Sequence, residues 1–405
     1  MRSVTSDRNL QQGTLIPISF AGALLLIQLG CGDVQQQGQE TRDGPVMESK
    51  RGTVVVHNGP TGLWNSGDRW TVREEFRIGG AAGPPETLFG TDRTSVSRGP
   101  GGNLFVLDGQ AEEVMIFDRA GHFIQRIGGP GDGPAEFYHP AGMGWDPLHR
   151  LWIANGFNLR YTVFDSTGTF LKTMPRPIRG MKRPQFPLVF DSSGSLLDEG
   201  LGIGLVRLIR VDTAGARVDT LPPIRYPDRP WGGAIIPPDF DRSVLRYLPE
   251  LRWVVARDHT VWVAETGELR LVQRTWEGDT IRIVETRHRD PSLDDGTRQR
   301  IDRELKKIGW DGSEVPLAHP IVHGIHIMDD GHILVQIVEE VGHRGSGLVD
   351  VFDPQGRFLG SMRLGFKMTN RGMPALFGDT LVGIHVGEHD VPYLVRAVIE
   401  RPEGR

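Results

Sequence analysis

Gly102-Asn103-Leu104-Phe105-Val106-Leu107-Asp108, Val114-Met115-Ile116-Phe117-Asp118-Arg119-Ala120-Gly121 and Phe123-Ile124-Gln125-Arg126-Ile127-Gly128-Gly129 follow one another with few residues between them. Each contains a short run of aliphatic and aromatic residues bounded by Gly, Asp or Asn. That combination describes short strands separated by tight turns. The middle run ends on a marker, Phe117-Asp118 followed by Gly121. It returns as Phe164-Asp165-Ser166-Thr167-Gly168 and Val211-Asp212-Thr213-Ala214-Gly215. Asp118, Asp165 and Asp212 are spaced by 47 residues each time. A degenerate copy, Trp276-Glu277-Gly278, has its Glu 65 residues beyond Asp212, and Phe352-Asp353-Pro354-Gln355-Gly356 has its Asp 76 residues further on. A period of about 40–50 residues with several short strands per unit is the signature of a β-propeller. In each marker Asp caps the turn through its side chain and Gly takes the positive φ, so these carboxylates are structural.

The strand before each marker gives an independent count. It reads Leu104-Phe105-Val106, Leu151-Trp152-Ile153, Leu196-Leu197, Val261-Trp262-Val263, Ile333-Leu334-Val335 and Leu381-Val382-Gly383-Ile384. That makes six blades in an all-β fold. The sixth lacks an outer strand before the chain ends. Arg77-Ile78-Gly79-Gly80, followed by Gly83-Pro84-Pro85-Glu86-Thr87-Leu88-Phe89, mirrors Arg126-Ile127-Gly128-Gly129 and Gly133-Pro134-Ala135-Glu136-Phe137. An N-terminal strand over 70–78 is therefore expected to complete the last blade and leave no free sheet edge. Two insertions interrupt the repeat. The Pro-rich stretch 222–243, with Trp231, reads as a long loop between blades three and four. Residues 292–309 carry Ile301, Leu305 and Ile308 at helical spacing, with Asp294 or Asp295 as cap and a solvated charged face.

Composition bounds the function. Of 405 residues 38% are hydrophobic and 24% charged, with a net charge of −5. Wholesale disorder is excluded, and the charge balance does not favour nucleic-acid binding. One cysteine excludes an intrachain disulfide and a Cys-cluster zinc site. The 53 glycines and 28 prolines suit a turn-rich body. The glycine-rich stretch 128–133 lacks the Lys-Ser/Thr ending and the following helix of a phosphate loop.

Residues 1–30 read as a signal peptide, with Arg2 and Arg8 before the apolar stretch Leu15–Leu29. Pro17 interrupts that stretch and its length is marginal for a membrane span. It ends at Leu29-Gly30-Cys31-Gly32, which resembles the lipobox of bacterial lipoproteins, although Gln28 stands where an aliphatic residue is usual. The resemblance implies lipid attachment at Cys31. Residues 31–51 are polar and Gln-rich, and read as a flexible tether to a propeller over 52–405. Gly32 offers no acidic retention signal, so the outer membrane or periplasmic face is the expected address.

Gly128–Phe137, Leu151-Trp152-Ile153-Ala154-Asn155 and Arg160-Tyr161-Thr162-Val163-Phe164-Asp165 resemble an NHL-type repeat. Over about 52–400 the chain resembles the exported six-bladed β-propeller lipoproteins of bacteria. That resemblance implies a fold and an address and no particular chemistry. NHL-like amidating lyases hold zinc through histidines of several inner strands. His323-Gly324-Ile325-His326 resembles such a strand, making His323 the candidate metal ligand. Strand alignment puts Thr94, Ala141, Phe186 and Leu251 at the corresponding places, which lacks the three ligands a catalytic zinc needs. His139-Pro140 and His319-Pro320 stand at matching entries to blades two and five, which face each other across a six-blade ring. Seven of the 13 histidines lie between 319 and 389. No HExxH, GxSxG or Cys nucleophile is present.

These observations favour a non-catalytic, monomeric lipoprotein with no cofactor, meeting the membrane only through its lipid. It would present its face to a protein, peptide or glycan ligand at the cell envelope. His139, His319, His323 and Trp231 are the candidate ligand residues, with Trp310 a second aromatic anchor. The alternative is a metal-dependent propeller lyase or hydrolase with its site at the central channel.

Overall fold

Leu104, Phe105, Val106 and Leu107 are all buried. Successive side chains of a strand point to opposite faces. Leu104 and Val106 pack with Val382, Ile384 and Leu394 on one side. Phe105 and Leu107 pack with Phe137, Met143 and Ile153 on the other. A strand apolar at every position is what a sheet covered on both faces requires; alternation would put one face in water. In the next unit Leu151 and Ile153 face back to the first blade. Trp152 and Ala154 face forward to Leu188, Leu196 and Ile209.

The computed structural model describes residues 44–402 apart from 92, 178–187, 192, 203–204, 215, 221–223, 226–236, 248–250, 266, 268, 288–291, 310–318, 340–344 and 370–373. The fold is an all-β, six-bladed propeller with one inserted α-helix. Blade 1 is Thr94–Arg98, Leu104–Asp108, Glu113–Phe117 and Phe123–Gly128, antiparallel throughout. Blade 2 repeats this with Pro140–Trp145, Leu151–Asn155, Arg160–Phe164 and Phe170–Pro175. The second strands of blades 3 to 6 are Leu196–Gly202, Val261–Glu265, Ile333–Ile337 and Thr380–Val386, so all six expected runs fall where the repeat puts them. Each blade–blade boundary holds its own apolar cluster. Burial of one such large side chain stabilises the fold by roughly 1.5–3 kcal/mol.

Blade 6 is completed from the other end of the chain. Thr71–Gly79 pairs antiparallel with Pro392–Glu400, from Tyr393 opposite Gly79 to Glu400 opposite Thr71. The closing strand read from the duplicated Gly-Gly segment is thus in place. Arg401 locks the junction: its guanidinium lies 4.4 Å from the Trp70 ring and pairs with Asp330 and Asp379.

The turn markers behave as their residues dictate. Asp118 Oδ1 accepts from Ala120 N and His122 N, each at 2.8 Å. Asp165, Asp212 and Asp353 do the same for their own turns. Gly121, at φ +89°, takes the left-handed position. The inserted helix is Asp295–Lys307, capped by Asp294, whose side chain accepts from Thr297 N at 2.8 Å. Ile301 and Leu305 pack on Phe240 of the other insertion and on Val244 just beyond it.

Two expectations change. Residues 46–50, expected within the tether, form a strand paired with Thr53–Asn58, which lies parallel on the outer edge of blade 4. Arg51 and Gly52 turn the chain at φ +51° and +86°, the geometry of a tight two-residue hairpin. The stretch 222–243 is not a loop throughout: Ile224–Arg225 pairs with Leu205–Val206, and a 3-10 helix begins at Arg242.

Candidate functional site

Strand direction gives the ring two faces. The entry face carries the segments leading into each first strand and the loops between second and third strands. The turn face carries the Asp-capped turns. Of the nine non-glycine residues with positive φ among those described, six lie on the entry face: Arg93, Glu112, His139, Leu159, His389 and Asp390. Each is strained by about 1 kcal/mol or more, and such strain concentrates where a loop presents side chains.

Four of the six form a repeated device. Arg93 and His139 each precede the first strand of a blade, and their carbonyls accept from Gly109 N at 3.1 Å and Gly156 N at 2.9 Å. Glu112 and Leu159 each end the loop before the third strand. In blade 2 the device is elaborated. His139 N donates to Glu112 Oε1 at 2.8 Å. Arg93 Nη1 lies 2.6 Å from His139 Nδ1. A guanidinium can only donate, so Nδ1 is the acceptor and the neutral ring carries its proton on Nε2. The ring meets Phe157 edge-on at 4.2 Å and Tyr138 at 5.3 Å. Tyr138 and Phe157 remain 44% and 49% exposed.

This arrangement can recognise but is poorly built for proton transfer or metal binding. A catalytic or metal-bound imidazole is oriented by a carboxylate or carbonyl on its second nitrogen. Here a cation holds that nitrogen. Guanidinium, an imidazole N–H donor and two exposed rings instead suit a ligand with acceptor oxygens and a flat apolar face.

The other expected residues are not joined to this cluster. His319 does not match His139: Val338 N donates to Ile321 O at 3.0 Å, so Ile321 holds the equivalent register position. His319 sits two residues upstream, its ring 5.8 Å from that of Tyr247, with Nδ1 buried and unpaired among the described residues. His323 is displaced as well. Val322 lies opposite Ile337 and Gly324 opposite Gln336, making His323 the extra residue of a β-bulge. The positions opposite the ends of the second strands are Thr94, Pro140, Leu251 and Val322, which corrects the alignment of His323 with Thr94, Ala141 and Leu251. The His323 carbonyl accepts from Arg252 Nε at 2.9 Å, tying blade 5 to blade 4. Among the described residues no three His, Cys, Asp or Glu side chains converge as metal ligands. Cys31, Phe186, Trp231 and Trp310 lie outside the described residues.

Sequence reasoning missed Arg93, Glu112, Tyr138 and Phe157. The stretch 128–137 carries no free phosphate cradle, because Glu136 Oε2 accepts from Gly133 N at 2.7 Å and fills the loop.

The comparisons agree with the fold. A family model described as a 6-bladed beta-propeller matches residues 98–173, within blades 1 and 2. No curated protein matches the chain. Among solved structures an exported protein from Bacteroides fragilis is similar with 10% identity and a TM-score of 0.54, covering 86% of this chain and 100% of its own. A DUF4221 family member from Bacteroides vulgatus is similar with 11% identity and a TM-score of 0.48, covering 83% of this chain and 99% of its own. Virginiamycin B lyase from Staphylococcus aureus is similar with 11% identity and a TM-score of 0.42, covering 76% of this chain and 80% of its own. At 10% identity the likeness to the Bacteroides fragilis protein concerns the fold alone.

Proposed function

We propose that this chain is a non-catalytic binding propeller, exported and anchored by lipid at Cys31. Its NHL-like repeats carry the entry-face loops of blades 1 and 2 to a peptide or glycan ligand of the cell envelope. The observation behind the reading is the pair of exposed rings, Tyr138 and Phe157, beside the Arg93–His139 pair. Exposed aromatics next to a guanidinium are the side chains that dominate binding surfaces. His319 and His323 are secondary candidates on blade 5, and Trp231 a loop anchor.

The address rests on residues 15–31, where an apolar core ends at Gly30-Cys31. No helix among the described residues is long and apolar enough to cross a membrane. Two acyl chains on one cysteine give durable anchoring where one chain gives marginal binding. Cys31→Ser tests this by fractionation: the variant is expected in the soluble fraction or unprocessed. A variant cleaved near residue 30 that still sediments with membranes contradicts the anchor.

A further inference from the structure

A cavity of about 420 Å³ opens on the turn face between blades 1 and 2, opposite the surface just described. Arg98, Arg119, His149 and Trp145 line it, together with residues 99–102. The basic side chains arrive from three different turns. Arg98 ends the first strand of blade 1, and its guanidinium lies 5.5 Å from the Phe377 ring of blade 6. Arg119 belongs to the Asp118 turn. It donates through Nε to Gly101 O at 2.5 Å, and its terminal nitrogens have no partner among the described residues. His149 occupies the left-handed position of the next turn, at φ +58°, and is exposed.

No carboxylate lines the cavity among the described residues. The acids of the adjoining turns are committed elsewhere. Asp118 holds two backbone amides and His122 Nδ1. Asp146 holds Arg150 and Trp152 Nε1. The Arg119 guanidinium and the His149 imidazole thus border a concave space without a counter-charge, while the Arg98 guanidinium turns to Phe377 of blade 6. Arginine forks match the paired oxygens of carboxylate, sulfate or phosphate. Trp145, set edge-on to Phe105 at 4.9 Å, supplies an apolar wall. The volume lies in the range of small-molecule sites and exceeds what a bare ion fills.

We infer that this cavity is a binding site for a small organic anion, whose carboxylate, sulfate or phosphate group lies between Arg119 and His149 and whose body lies against Trp145. It is independent of the entry-face surface and shares no residue with it.

The test uses the mature chain from residue 32 onward. Glucuronate, inorganic phosphate and sulfate are titrated at constant ionic strength, read by calorimetry and tryptophan fluorescence. The expected result is saturable, one-site binding of at least one probe. It weakens at least about tenfold in Arg119→Gln, the loss expected for a charge-assisted contact, and is unchanged in Arg257→Gln on the turn face of blade 4. Thermal midpoints establish that each variant is folded, and the exposed His149→Gln provides a further variant expected to weaken binding. Glucuronate alone assigns a sugar acid; phosphate or sulfate alone assigns a tetrahedral anion. Either supports the site. Failure of all three probes to saturate at millimolar concentration, or affinity unchanged in both Arg119→Gln and His149→Gln, overturns it.

Discussion

Blades 2 and 5 face each other across the ring and share a backbone plan, yet the plan carries different side chains in each. Gly144 of blade 2 lies opposite Trp152, and His326 of blade 5 lies opposite Leu334. These are the same ladder position. At Gly144 the next blade comes so close that an added Cβ would stand 1.9 Å from Leu188 O. At His326 the next blade stands off, leaving a small pocket shared with Met362 and Met368. The boundaries differ in charge as well. Blade 2 meets blade 3 through a wholly buried pair, Arg176 Nε to Asp198 Oδ2 at 2.6 Å, with Tyr161 OH donating to the same oxygen at 2.7 Å. Burial raises the Tyr161 pKa well above its ordinary value, and the Asp198 charge adds to that. In its interior blade 5 meets blade 6 through apolar side chains and one strand bridge, Met368 with His385, and its ion pair, Arg401 with Asp330, stays part-exposed at the rim. A repeat therefore fixes the backbone, while each boundary is free to be polar and tight or apolar and loose.

The largest expected effect breaks the polar boundary. Asp198→Ala leaves Arg176 charged and buried, a change that costs about 3–5 kcal/mol. A large drop in the urea midpoint is predicted, with much of it restored in the double variant Arg176→Met/Asp198→Leu. A single variant as stable as the parent would show that the pair is dispensable.

The loose boundary predicts acid sensitivity instead. Burial holds the His326 pKa down, at about 4 against an ordinary 6.5. The unfolded chain therefore takes up a proton at higher pH than the folded one. This contribution is fully present above about pH 6.5 and is lost as pH falls towards 4, by at most about 3 kcal/mol. His326→Leu should flatten the stability profile across that window. Some slope should persist, because desolvation also lowers the His385 pKa, against the raising effect of the Lys367 backbone hydrogen bond. An unaltered profile would contradict the assignment.

A smaller effect separates two glycines. Gly144→Ala forces Leu188 and its neighbours apart, a strain worth about 1–3 kcal/mol. Gly324→Ala meets nothing nearer than 3.7 Å and should shift stability by only about half a kcal/mol. Equal melting midpoints for the two variants would remove the tight–loose distinction. Smallest of all, Phe157→Ser should leave stability within about half a kcal/mol, since the ring is half exposed, while abolishing ligand capture.

What the sequence reveals follows from this geometry. The second strands are legible because both of their faces are buried, which gives each an unbroken apolar stretch such as residues 104–107 or 151–154. The closing strand is legible because its Gly-Gly segment is copied after blade 1. Val46–Lys50 is not legible: none of its side chains is buried, so no pattern marks it. The entry-face cluster is hidden for another reason. Tyr138 and Phe157 are brought together by the hydrogen bond from Gly156 to His139, a product of ladder register. The same register removes the apparent match of His139 with His319, since His-Pro in the chain does not disclose the two-residue offset.

The binding surface is tested most directly by site-specific photocrosslinking in intact cells. A photoreactive residue replaces Phe157 in one strain and Leu171, exposed on the outer strand of blade 2, in another. The account predicts one discrete adduct at position 157, lost when Tyr138→Ser and Arg93→Gln are added, and none at 171. No adduct at 157, or the same adducts at both positions, would contradict it.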